Sequence, residues 1–115
     1  MTREQALNCM PVHNSDLTWE LLPDDLVRIE YTLNFNPFFQ SILNRFSPEQ
    51  ANQPTRKLEL DALGSRVWTM IDGKTTTADI IRAFAKHQPI TQQESEQSVT
   101  LFLRQLGKRG LVGLR

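Results

Sequence analysis

The side chains that could do chemistry in this chain are few and widely spaced. The single cysteine, Cys9, and the two histidines, His13 and His87, do not follow the spacing of a zinc motif, whose four ligands come in close pairs. Asp24 and Asp25 follow a proline, where aspartate usually accepts hydrogen bonds from the local backbone. The five glycines match neither the dinucleotide-binding nor the P-loop spacing. We therefore expect no metal, no cofactor and no catalytic residue, and predict that the chain is not an enzyme.

Composition and charge indicate an ordinary globular domain. The chain has 115 residues, enough for one domain to form a core without metals or disulfides. Its 13 lysines and arginines balance 13 aspartates and glutamates, which argues against a nucleic-acid partner, since such proteins carry an excess of basic residues. No apolar run is long enough to span a membrane. A lone cysteine and the lack of a signal-peptide pattern predict a cytoplasmic location.

The first half of the chain predicts three strands. Residues 1–16 show no sustained periodicity and contain turn-forming residues, so we expect a loose arm, followed by one domain over residues 17–115. Apolar residues alternate from Leu17 to Leu21 and again from Val27 to Leu33, with Pro23 and two aspartates between them. This pattern is typical of a hairpin. A third alternating segment, residues 55–60, predicts a third strand.

An insert over residues 34–54 separates the second and third predicted strands. Within it, residues 37–46 predict a short amphipathic helix, because its aromatic and aliphatic residues recur at helical spacing. The apolar positions of this segment are Phe35, Phe38, Phe39, Ile42, Leu43 and Phe46. We expect this face to be buried, either on the sheet or against a second copy in a homodimer.

The second half predicts three helices. Each begins at a residue that favours the N-cap position: Asp61, Thr76 and Thr91. Gly73 and Gly110 can end the first and third of them by adopting positive φ. The short apolar tail at residues 111–114 is predicted to pack on the core or to add a brief strand. Strands followed by helices make the fold class α+β.

A segment across the third strand and the first of these helices resembles the PqqD family. The family pattern has Leu-Asp-x-x-Gly-x-x-Val-Trp, then Asp-Gly, Thr and Ile. The matching residues here are Leu60, Asp61, Gly64, Val67, Trp68, Asp72, Gly73, Thr76 and Ile80. The resemblance implies a winged-helix-like fold, with a three-stranded antiparallel sheet followed by three helices.

The resemblance also implies a function and a site. Such proteins are peptide-binding adaptors that recognise the leader of a ribosomally made precursor peptide and present it to a radical SAM maturase, as in the synthesis of pyrroloquinoline quinone. The leader adds as a strand beside the third strand, in a groove closed by the third helix. The candidate contacts are Arg56, Lys57, Leu58, Leu60, Val99, Phe102 and Leu103, whose apolar members could equally be core residues.

Two other classes of function remain open on the sequence. A winged-helix fold also serves DNA binding, and the third predicted helix carries Arg104 and Lys108, although acidic residues in its first turn offset them. The apolar helix of the insert would also suit a purely structural dimerisation module. The neutral net charge favours the peptide-binding interpretation over DNA binding.

Overall fold

The structure is a computed structural model that describes residues 1–32 and 55–115. The described residues form an α+β fold with four helices and five strands. In chain order these are α1 (Arg3–Asn8), β1 (Pro11–His13), β2 (Thr18–Leu21), β3 (Val27–Thr32), β4 (Thr55–Glu59), α2 (Ala62–Met70), α3 (Thr77–His87), α4 (Gln92–Lys108) and β5 (Val112–Leu114). None of these four helices is long and apolar enough to cross a lipid bilayer.

The three predicted strands form one antiparallel sheet in the order β2-β3-β4. Trp19 of β2 and Leu58 of β4 lie on either side of Ile29 in β3, so these three side chains share a face. The hairpin between β2 and β3 is closed by a hydrogen bond from the Leu22 amide to the Leu26 carbonyl, at 2.8 Å. Asp25, in the predicted turn, has a φ of 65°, a left-handed conformation that aspartate tolerates. The predicted hairpin and third strand are confirmed.

The three predicted helices also form, and each begins where the sequence indicates. The side chains of the three N-caps, Asp61, Thr76 and Thr91, accept hydrogen bonds from amides of the first helical turn. At α4 the Glu94 side chain also accepts from the Thr91 amide, which completes a capping box. Gly110, with a φ of 74°, follows the end of α4 in the conformation that favours glycine.

The core lies between one face of this sheet and helices α2, α3 and α4. Its buried apolar residues include Val27, Ile29, Trp68, Ile80, Ile81, Phe84, Val99, Leu103, Leu106 and Leu111. Two buried serines fix the helices in position. Ser65 of α2 accepts a hydrogen bond from the Val27 amide at 2.8 Å, and Ser95 of α4 donates one to the Ile81 carbonyl at 2.7 Å. These bonds tie α2 to the sheet and α4 to α3.

The N-terminal segment is not a loose arm. It contains α1 and β1, and β1 pairs antiparallel with β5, with Val12 opposite Gly113. The ring of His13 stacks on Trp68 of α2, with ring centroids 3.8 Å apart. The prediction of a loose arm is wrong because the partner of β1 lies at the other end of the chain, where local periodicity cannot reveal it. The apolar C-terminal tail supplies that partner as β5.

The predicted insert, residues 34–54, lies outside the described residues. The prediction of a helix over residues 37–46 falls there as well. So does the prediction that the phenylalanine face of that helix is buried on the sheet or in a homodimer.

Candidate functional site

The backbone of β4 forms an edge of the sheet within the described residues. The Leu60 amide donates to the Val27 carbonyl at 2.9 Å, just beyond the end of β4. Because bonded and non-bonded pairs alternate in an antiparallel ladder, Leu58 and Arg56 also bond to β3. The N–H and C=O groups of Lys57 and Glu59 therefore point away from β3. These groups are the ones that an added strand would meet.

The side chains of β4 alternate between the two faces of the sheet. Arg56 and Leu58 lie opposite Tyr31 and Ile29, so they point toward the helices. Lys57 lies opposite Glu30 and points to the other face. That outer face is polar: Arg28 forms ion pairs with Glu20 and Glu59 at 3.6 and 3.5 Å. Lys57 can therefore contribute its backbone to the β4 edge, but not its side chain to a groove beneath the helices.

Two contacts place α4 along the helix side of β4. The ring of Phe102 lies against Gly64, in the first turn of α2 just after β4 ends: a β-carbon on Gly64 would be 3.0 Å from the Phe102 Cε2 atom. Further along the chain, just past the end of α4, Arg109 Nη1 donates to the Tyr31 hydroxyl at 3.4 Å. Tyr31 is paired with Arg56 near the start of β4. Helix α4 therefore runs antiparallel to β4.

The predicted contact residues divide into three groups. Leu60, Val99 and Leu103 belong to the core, with 7%, 0% and 8% of their surface exposed, so they present almost nothing to a ligand in this structure. Leu58 and Phe102 are half-buried and pack against that core from its rim. Arg56 and Lys57 are exposed. The first group supports the site from beneath, whereas the other two border it.

Sequence reasoning missed Tyr31 and Arg109. Their contact, together with the pairing of Tyr31 with Arg56, brings two guanidinium groups toward the same end of the site. The spacing of Arg109, seven residues after Phe102, was the available signal, because residues seven apart lie on the same face of a helix. Nothing local connects Arg109 with Tyr31. The combination of half-buried Phe102 and two arginines suits a ligand with both apolar and acidic side chains.

The described residues hold no cluster of three or more histidine, cysteine or carboxylate side chains that could bind a metal ion. His13 is engaged elsewhere: its Nε2 atom lies 3.1 Å from the Trp68 carbonyl, and its ring contacts the rings of Trp68 and Trp19. Burial lowers the pKa of His13 from its ordinary value of 6.5, against a smaller opposite effect of the bond to Trp68. This histidine therefore joins β1 to α2 as a packed ring whose burial disfavours the protonated form.

Comparison with known proteins gives a family and a fold. The sequence profile of the family described as coenzyme PQQ synthesis protein D (PqqD) matches residues 48–112, more than half of the chain. A solved structure described as TbiB1 in complex with the TbiA(beta) leader peptide has the same fold, with a TM-score of 0.63 and 18% sequence identity. The match covers 88% of this chain and 93% of that one. No curated protein matches at a significant level. The extent of the profile match shows that the chain belongs to the PqqD family.

Proposed function

We propose that this protein is a non-catalytic adaptor that binds the leader of a ribosomally made precursor peptide and presents it to a radical SAM maturase. The observation that carries the proposal is the β4 edge. Backbone groups of Lys57 and Glu59 point outward there, beside a helix face that carries Phe102. Strand addition suits an adaptor, because backbone hydrogen bonds provide affinity for any extended segment and side-chain contacts select among them.

The family and the related fold support this proposal from a second direction. The chain belongs to the PqqD family, and TbiB1, which has the same fold, is described in complex with a leader peptide. The bound leader would lie antiparallel to β4 and would exchange backbone hydrogen bonds with Lys57 and Glu59. This arrangement requires no chemistry on the adaptor.

The side chains around the edge define the leader that would bind. On the helix side, an apolar residue of the leader would contact Leu58 and Phe102, which are half-buried. An acidic residue would lie near Arg56 and Arg109, at the end of the site where the C-terminal end of α4 meets Tyr31. Exposed ion pairs contribute up to about 1 kcal/mol each, so most of the selectivity would come from the apolar contact.

A proline at position 57 tests strand addition directly. Lys57→Pro removes an amide that points away from β3, so the pairing of β4 with β3 is kept, as for prolines on other edge strands. We expect the affinity for the precursor peptide encoded beside the gene to fall about two- to tenfold, the value of one backbone hydrogen bond. Lys57→Ala is the matched control, since it removes the side chain and keeps the amide. Isothermal titration calorimetry measures both.

Equal affinities for the proline and alanine variants would contradict strand addition at β4. Chemical-shift mapping by NMR locates the bound peptide independently. The perturbed amides should include Lys57, Glu59 and Phe102. Perturbations restricted to α1 or to the outer polar face of the sheet would place the peptide elsewhere.

Presentation to a maturase needs its own experiment. A radical SAM enzyme and a short precursor peptide encoded next to this gene should form a three-part complex with the protein in size-exclusion chromatography. The complex should be lost when the precursor is shortened to its core sequence. A precursor that reaches the enzyme equally well without this protein would rule out the adaptor role.

A further inference from the structure

The edge of the three-stranded sheet opposite β4 is formed by β2, and all four residues of this strand are exposed. Trp19 and Leu21 point to the same side of the sheet as Ile29 and Val27, the buried residues opposite them in β3. Trp19 and Leu21 nevertheless remain 40% and 54% exposed. Within the described residues, the core therefore covers β3 but leaves the apolar side of β2 open.

The backbone of β2 presents open hydrogen-bonding groups at this edge. Val27 is bonded elsewhere, since its carbonyl accepts from the Leu60 amide at 2.9 Å and its amide donates to Ser65 Oγ at 2.8 Å. Leu21, which lies opposite Val27, therefore forms no ladder bond with β3, and by alternation neither does Trp19. Their N–H and C=O groups point away from β3, and neither amide has an acceptor in the part of the chain that the structure describes.

The side chains of β2 also differ from those that protect an edge strand from pairing. The β4 edge carries Arg56, Lys57 and Glu59, whereas β2 contains no proline, no basic residue and one charged residue, Glu20. Glu20 lies on the outer face of the sheet, where it pairs with Arg28 at 3.6 Å. An exposed edge strand with apolar side chains and few charges favours the addition of a further strand.

The sequence of β2 limits how a second β2 strand could add. An antiparallel copy that engages the outward groups of both Trp19 and Leu21 has three symmetric registers. The register centred on Glu20 places two carboxylates directly opposite each other, which is destabilising. The register centred on Leu21 pairs Trp19 with Pro23, which has no amide hydrogen to donate.

The third register, centred on Trp19, avoids both faults. It places Trp19 opposite Trp19 of the partner subunit, and Leu21 opposite the partner's Leu17, a half-buried residue. On the outer face it places Thr18 opposite the partner's Glu20, so no like charges meet. Aromatic and aliphatic cross-strand pairs stabilise a sheet. In this register the β2 edge is complementary to itself.

We propose that the protein forms a homodimer in which two β2 strands pair antiparallel about Trp19 and join the two sheets into one of six strands. The occupant of the edge is a second copy, because the apolar and charged positions of β2 complement those of β2 itself, as a two-fold interface requires. The dimer places β4 at each outer end of the joined sheet. It therefore does not depend on leader binding, and it leaves both leader sites open.

Analytical ultracentrifugation of the full chain tests the dimer. We expect the average mass to rise from that of the monomer toward that of the dimer between about 1 μM and about 1 mM protein. Leu21→Glu should raise the dimer Kd at least about tenfold, because both copies lose a buried leucine. Leu101→Glu is the matched control, since Leu101 is 52% exposed on α4 and should not affect the Kd. A monomer throughout this range, or equal effects of the two substitutions, would overturn the proposal.

Charges introduced at position 18 test the register. Thr18→Lys places an ammonium group opposite the partner's Glu20, so it should lower the dimer Kd up to about fivefold for each of the two symmetric pairs at low salt. Thr18→Glu places like charges opposite each other and should raise the Kd. The same Kd for both variants would overturn the proposed pairing. This comparison remains decisive if Leu21→Glu does not fold.

The two edges of the sheet can be tested separately. Lys57→Pro alters the β4 edge and should leave the dimer Kd unchanged, as should saturation with the precursor leader. Dissociation of the dimer by the leader, or its loss in Lys57→Pro, would place the interface at β4 and overturn the proposal. Leu21→Glu should leave the affinity for the leader unchanged, so the dimer and the adaptor function can fail independently.

Discussion

Gly64 and Phe102 are in direct contact between α2 and α4, so close that a β-carbon on Gly64 would come within 3.0 Å of the phenylalanine ring. The same β-carbon would be 3.0 Å from Asp61 Oδ1, which caps α2 by accepting a hydrogen bond from the Gly64 amide. The missing side chain therefore lets the ring of α4 rest on the first turn of α2. This contact holds α4 beside the β4 edge.

Replacing Gly64 tests this relationship. Gly64→Ala should lower the free energy of unfolding by about 1 kcal/mol, because the strain of overpacking exceeds the gain in helix propensity. Gly107→Ala is the matched control on α4. Its β-carbon would meet only the Val112 carbonyl, at 3.8 Å, so it should stabilise the protein by about 0.5 kcal/mol or more. Urea denaturation measures both changes. A stabilised Gly64→Ala variant would mean that the contact is not constrained.

The face of the sheet on which each basic side chain lies predicts whether it attracts an acidic leader. Arg56→Gln and Arg109→Gln should each weaken leader binding up to about fivefold at low salt, and the effect should shrink as ionic strength rises. Lys57→Gln should have little effect, because its side chain lies on the outer face opposite Glu30. Titration calorimetry at two salt concentrations measures these affinities. A larger loss for Lys57→Gln than for Arg56→Gln would contradict the assignment of faces.

Leu101 and Leu103 lie close together on α4, but substitutions at these two positions should differ strongly in their effect on stability. Leu103 is 8% exposed, so Leu103→Glu would bury an unpaired charge and should cost about 3 kcal/mol or more of stability. Leu101 is 52% exposed, so Leu101→Glu should leave the melting temperature nearly unchanged. Thermal denaturation followed by circular dichroism compares them. The sequence placed Leu103 among the candidate peptide contacts, but its burial means that Leu103→Glu should act on folding first.

Acidification should destabilise the protein through His13. Burial lowers the pKa of His13, so the folded state disfavours the protonated ring. The unfolded chain then binds more protons below about pH 6.5, and the free energy of unfolding falls as the pH decreases through that value. Well above that pH, His13 is neutral in both states, and the protein keeps its full stability with respect to this group. Denaturation at about pH 7.5 and about pH 5.5 measures the loss.

His13→Gln provides the control for this pH dependence. The variant should show a smaller difference in stability between the two pH values. Asp72 and Glu96 also have lowered pKa values, but their ordinary values are 3.8 and 4.5, so both stay ionised across this range. An unchanged pH dependence in His13→Gln would show that another group is responsible.

The sequence by itself determined the local elements. Alternating apolar residues predicted the hairpin and β4, and Asp61, Thr76 and Thr91 predicted where the three helices begin. These signals are local, since a cap or a turn depends on hydrogen bonds between residues a few positions apart. The family motif was legible for the same reason, because its residues form one continuous segment from β4 into α3.

Only the tertiary structure decided which groups meet at the surface. The pairing of β1 with β5, the contact of Arg109 with Tyr31, and the division of Arg56 and Lys57 between two faces all depend on strand order and register. Whether Leu103 is a core residue or a contact residue likewise depends on what packs over it. Periodicity shows that a helix or strand has an apolar face. What that face packs against is set by contacts between segments far apart in the chain.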